Sequence, residues 1–75
     1  MTLDKLPDGD TGLISGVGGQ GERRLRLLEL GLTPGTHVTA VRRAPLGDPM
    51  QLLLRNCSLT LRGADAACIE LEALR

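Results

Sequence analysis

The amino-acid sequence predicts a small, mainly β domain: five short antiparallel strands curled into a barrel, one inserted α-helix and one further helical turn. Three observations lead there. Apolar and polar residues alternate with period two over several short stretches. Only Glu22 to Leu30 consists of helix formers throughout. Gly, Pro, Asn and Asp punctuate the intervals between these stretches. At 75 residues and 8.0 kDa the chain accommodates one domain, residues 1–75. Such a domain buries only roughly 60–65% of its unfolded surface, so its core is thin.

The elements follow in order. Asp8-Gly9-Asp10 signals a turn, and Gly12 to Val17 forms a first strand weakened by its own glycines. The helix over Glu22 to Leu30 ends where Gly31 supplies a left-handed C-terminal cap. At about 100° per residue, Leu27, Leu28 and Leu30 share one arc and are assigned to the core. Leu25 falls roughly 60° outside that arc and is assigned to the margin or to solvent. Leu32-Thr33-Pro34-Gly35 is a turn. Val38 and Ala40 then alternate with His37, Thr39 and Val41 in a second strand that ends at Arg42-Arg43. Pro45-Leu46-Gly47-Asp48-Pro49 breaks it. Met50, Leu52 and Leu54 alternate with Gln51, Leu53 and Arg55 in a third strand. Asn56-Cys57 is the expected hairpin turn, since Asn tolerates positive φ. Leu59 and Leu61 alternate with Ser58, Thr60 and Arg62 in a fourth strand. Gly63 to Ala67 makes one helical turn, and Ile69 and Leu71 alternate with Glu70 and Glu72 in the fifth strand. Closure into a barrel would hide the edges of so small a sheet.

Composition excludes several function classes. Sixteen residues are Leu, whereas Phe, Tyr and Trp are absent. No ring is available to stack on a nucleobase, line a polyproline groove or cage a quaternary ammonium. Nine basic and nine acidic residues give a formal charge of zero, so the chain has no overall pull toward nucleic acid or an anionic membrane. The start of the chain has no apolar run of the kind a secretory signal needs, and no stretch is long enough to insert in a bilayer. Two cysteines do not make a disulfide framework. The expectation is a cytoplasmic protein with reduced thiols.

Gly16-Val17-Gly18-Gly19-Gln20-Gly21 matches the spacing of a dinucleotide fingerprint between a strand and a helix. It is rejected because a hairpin, not a crossover helix, follows the next strand and no second half completes a crevice. His37, Cys57 and Cys68 are the only His and Cys residues, too scattered to suggest a metal site or cofactor by spacing. No nucleophile has a base partner, so no enzyme activity is expected. The arginines at 23, 24, 26, 42, 43, 55 and 62 are read as an ordinary charged surface, with Glu22 pairing with Arg26 at i,i+4. The Ala44 to Pro49 segment is read as a rigid strand connection, with a preorganised loop presenting Leu46 and Asp48 as the sharper alternative.

Two segments together carry a resemblance. Arg24-Leu25-Arg26-Leu27-Leu28-Glu29-Leu30-Gly31-Leu32-Thr33-Pro34-Gly35 is similar to the R-x-x-L-x-x-L-G-L-x-P-G stretch of the ferrous iron transport protein A (FeoA) family, and Ala44-Pro45-Leu46-Gly47-Asp48-Pro49 resembles its A-P-L-G-D-P loop. Ser58-Leu59-Thr60-Leu61-Arg62, followed by Ile69-Glu70-Leu71, is similar to the family's S-L-x-L-R…I-x-V ending, with Leu71 in place of Val. The resemblance runs from about residue 8 to residue 74, and the glycine run at 16–21 is not part of the family pattern. It implies an SH3-like barrel with an inserted helix. It also implies a cytoplasmic accessory to the ferrous iron transporter FeoB, a membrane protein with a cytosolic G domain. Docking would use exposed apolar and loop surface: Arg24 and Leu25 on the helix, Leu46 and Asp48 in the loop, and Leu53 on the outer face of the third strand. The alternative the family carries is a transition-metal-binding or metal-sensing module. Weak self-association through an open strand edge is a further alternative, and a nucleic-acid partner is not expected.

Overall fold

Each alternating stretch becomes a strand, and the computed structural model describes residues 1–72. The last three residues of the expected 1–75 domain, and with them the end of the resemblance at residue 74, lie outside the described residues. The strands are β1 (Thr11–Val17), β2 (His37–Arg43), β3 (Met50–Leu54), β4 (Cys57–Leu61) and β5 (Ile69–Glu72). Helix α1 is Gly21–Glu29 and helix α2 is Gly63–Ala66, and a 3-10 turn, Leu3–Lys5, precedes β1. The sheet is antiparallel, in the order β4-β3-β2-β1-β5. Its inner face buries Ile14, Val38, Ala40, Met50, Leu52, Leu54, Leu61, Ile69 and Leu71. These are the alternating residues that the period of two selects.

The sheet is not closed: β4 and β5 are its two edges. The expected barrel fails to close because the outer edge of β5 is already occupied. Leu71 N donates to Met1 O at 2.8 Å, and Thr2 bridges Glu70. The start of the chain then turns inward and buries Leu3 and Leu6. Arg43 fastens it, donating to Asp4 O at 3.0 Å and Leu6 O at 2.8 Å and pairing with Asp8. Sequence reasoning found no role for this segment, because two leucines in six residues carry no periodicity. Register shifts in β1 at Ile14/Gly16 and in β2 at Ala40/Arg42 bend the sheet around its core. Leu27 of α1 and Ala66 of α2 complete the same apolar cluster.

Two expectations need correction. The β3–β4 turn is Arg55-Asn56, with φ of 50° and 65°, not Asn56-Cys57. Both central residues of such a turn need positive φ. The Arg55 guanidinium donates to Thr36 Oγ1 at 3.0 Å, which offsets part of that cost. Leu30 is not core but 43% exposed. Only Leu27 of α1 is fully buried, and Leu28 is half-buried. The helix ends as its sequence demands: Gly31 has φ of +99°, its N–H donates to Leu28 O at 3.0 Å, and Leu32 N donates to Leu27 O at 3.2 Å. Leu30 therefore sits on the last turn, facing the part of the fold where the sheet stays open. Among the described residues, no helix is long and apolar enough to cross a membrane.

Candidate docking surface

Helix α2 joins two pieces of surface that are far apart in sequence. At its start, Gly63 N donates to Asp48 Oδ1 at 2.8 Å, so the Ala44–Pro49 loop caps the helix. Two residues on, Asp65, only 8% exposed, accepts from Arg26 Nη2 at 3.3 Å on both oxygens and pairs with Arg23 Nε at 3.3 Å. A carboxylate this deep needs such partners, since an unpaired one would cost several kcal/mol, on the order of a buried charge in low dielectric. Arg26 therefore turns to Asp65, and the expected Glu22–Arg26 pair does not form. Sequence reasoning missed Asp65 because its partner lies 39 residues away.

The loop itself is a closed turn: Gly47 N donates to Ala44 O at 2.7 Å, Ala44 N donates to Pro49 O at 3.0 Å, and Gly47 has φ of +91°. Leu46 at its tip is 96% exposed. Asp48 is exposed, but its carboxylate is turned toward α2 rather than outward. On α1, Leu25 is 57% exposed, as its place on the helical wheel requires. Arg24 Nε donates to Val17 O at 3.1 Å, which pins the guanidinium to the end of β1. Leu53 stands apart from this end. It lies on the outer face of β3, paired with Thr39 of β2 and Ser58 of β4, and is 42% exposed.

A trench absent from the sequence reading separates α1 from β4. One part, ≈ 400 Å³, is lined by Arg26, Leu30, Thr60, Leu61, Arg62 and Asp65. A second, ≈ 200 Å³, has Glu29, Leu30, Arg55, Cys57 and Leu59 among its walls. Leu30 is common to both, which explains its exposure. No local signal in the sequence marks this feature, since it exists only where two elements fail to meet.

The candidate metal donors do not come together. His37 is exposed on β2, Cys57 is exposed at the start of β4, and Cys68 is half-buried, with its Sγ donating to Ala64 O at 3.6 Å. Among the described residues, no three His, Cys, Asp or Glu side chains are placed to hold a metal ion. The donor set therefore does not fit a metal centre within one copy of the chain. The glycine run also has a structural use. Gly18 N donates to Cys68 O at 2.6 Å, and a side chain there would meet that oxygen at 3.2 Å. Gly18, with Gly19 beside the Cys68 Sγ, permits close passage over the α2–β5 link.

Comparison with known proteins agrees with this architecture. A family model for the FeoA domain matches residues 1–73. The Fe(2+) transport protein A/Fe(2+) transporter FeoB fusion protein of Porphyromonas gingivalis is 40% identical over 74 residues. That match takes in 99% of this chain but only 9% of the length of the fusion protein. The solution structure of iron(II) transport protein A from Clostridium thermocellum superposes with a TM-score of 0.93 at 35% identity, over 99% of this chain and 46% of that one. FeoA of Stenotrophomonas maltophilia, solved in complex with zinc and described as an SH3 domain protein, gives a TM-score of 0.85 at 26% identity, over 96% of this chain and 89% of that one. The fold is thus SH3-like, with the sheet left open.

Proposed function

The chain belongs to the FeoA domain family, and on that premise we propose that it is a cytoplasmic accessory of ferrous iron uptake that acts by binding the transporter FeoB. The fusion protein of P. gingivalis carries this reading, because a relative 40% identical to the chain forms one polypeptide with a transporter. A covalent link holds two modules at high effective concentration, and that arrangement helps only if the modules work side by side.

The surface proposed for that contact is the end of the molecule built by α1, α2 and the 44–49 loop. Leu46 and Leu25 supply exposed apolar area there. Arg24 and Asp48 act through position: one ties α1 to β1 and the other ties the loop to α2, so both leucines are presented by rigid backbone. Leu53 offers a separate apolar point on the outer sheet face. The whole chain, residues 1–75, acts as one docking module without a catalytic step. Ferrous iron is the transporter's cargo in this scheme, not a resident ion of the module.

The test is a titration of isotope-labelled protein with the cytosolic domain of FeoB from the same organism, followed by NMR. Shifts at Leu25 and in the 44–49 loop, with weaker binding by Leu46→Glu and Leu25→Glu at unchanged fold, support the proposal. A spectrum unmoved by that domain overturns it.

A further inference from the structure

The two edges of the sheet differ, and the open one has the features of a strand-binding site. The Arg55-Asn56 turn closes on the Leu54–Cys57 pair, and the ladder continues through Leu52–Leu59 and Met50–Leu61. Residues alternate between facing the neighbouring strand and facing away from it. Cys57, Leu59 and Leu61 therefore spend their backbone groups on β3, while the N–H and C=O groups of Ser58 and Thr60 point to the outer edge. Among the described residues, no further backbone hydrogen bond reaches Cys57–Leu61. Strand edges left bare are usually blunted by Pro, Lys or a covering segment, and β4 has none of these along its length. Its inner-face residues Cys57 and Leu59 are exposed and half-buried, respectively, because the trench beside α1 lies against them.

The geometry points to strand addition on β4: an extended segment of a partner protein pairs with Ser58 and Thr60 and fills the trench between β4 and α1. This rests on the protein-docking reading above and supplies it with a second contact. The trench states the chemistry of the segment. A residue opposite Leu59 points inward, onto Leu30 and Leu59, and is apolar. At the Leu61 end stand Arg26 and Arg62, with the one carboxylate there, Asp65, already shared between Arg23 and Arg26. A carboxylate of the segment belongs at that end. At the other end Glu29 and Arg55 offset each other. A second copy of this chain fits poorly. Its β4 carries arginine at both flanks, and antiparallel pairing about Leu59 sets each copy's Arg62 opposite the other's Asn56, next to its Arg55.

The full chain, labelled with ¹⁵N and methyl ¹³C, is titrated with a short capped peptide of alternating Val and Thr bearing Glu at one end. Three comparators are used: the same peptide with Lys for Glu, the same peptide N-methylated on the nitrogens facing β4, and Thr60→Pro protein. Expected are shifts at the Ser58 and Thr60 amides and the Leu30 and Leu59 methyls. N-methylation should weaken binding about tenfold, the effect of losing one or two hydrogen bonds, and Lys should weaken it further. Equal binding of the N-methylated peptide, or shifts confined to other elements, overturns strand addition even if Thr60→Pro proves poorly folded. The cytosolic FeoB domain separates the two readings. If it binds with shifts only at Leu25 and Leu46, the edge proposal fails and the docking reading stands. If it does not bind, the docking reading fails while the peptide result still decides the edge.

Discussion

Along the outer edge of β5, Leu71 donates its N–H to Met1 O at 2.8 Å, and the segment that does this buries Leu3 completely. Along the outer edge of β4, the backbone groups of Ser58 and Thr60 meet no protein partner among the described residues, and the half-exposed Leu30 looks across the gap. The same sheet thus covers one edge with its own chain and leaves the other bare beside a charged trench. Covering an edge requires a segment that can also anchor itself in the core. The first six residues have two leucines, and Arg43 to hold them, whereas nothing next to β4 among the described residues has such an anchor. A bare edge on a small domain is a liability unless it is used, so the comparison itself is what needs testing.

The strongest way to break the comparison is to release the covered edge. Leu3→Ala removes a fully buried side chain and should cost about 3 kcal/mol of unfolding free energy, read by urea denaturation. A loss well under 1 kcal/mol would mean that the cover is not held by its anchor. The next effect concerns the wall of the trench. Asp65→Asn leaves the shape of α2 but removes the charge that Arg23 and Arg26 share. Those guanidinium side chains are 50% and 58% exposed, so solvent screens the pairs and the loss should be about 1 kcal/mol. High salt should shrink it, and a salt-independent loss would point to packing instead. Thr60→Pro sharpens the contrast directly. Its N–H lies on the free edge, so stability should fall by about 1 kcal/mol or less. A loss as large as that of Leu3→Ala would show that the edge is covered. Smallest of all, Leu46→Glu at the exposed loop tip should leave stability within about 0.5 kcal/mol, measured by thermal unfolding, since it makes no core contact.

Much of the fold is legible in local sequence. The strand residues Val38, Ala40, Met50, Leu52, Leu54, Ile69 and Leu71 are buried as their period of two predicts. Gly31 ends α1 with the backbone geometry that a glycine there foretells, and Leu25 faces outward as its angle on the helix requires. The loop with Leu46 is legible as a rigid connection, although its Asp48 is legible only as a charge and not as the cap of α2. Leu30 misled the reading because a helical arc says which leucines are neighbours but not how wide a strip the sheet will cover.

What the sequence by itself determined is the type and order of the elements, since alternation, helix propensity and turn chemistry act between residues a few positions apart. Only the tertiary structure decided which edge is covered, where Asp65 finds its arginines and how the trench beside β4 opens. The first two join residues 70 and 39 positions apart, Met1 with Leu71 and Arg26 with Asp65. Pairing at that separation depends on how the whole chain shares out its buried surface and backbone hydrogen bonds, which no local pattern records.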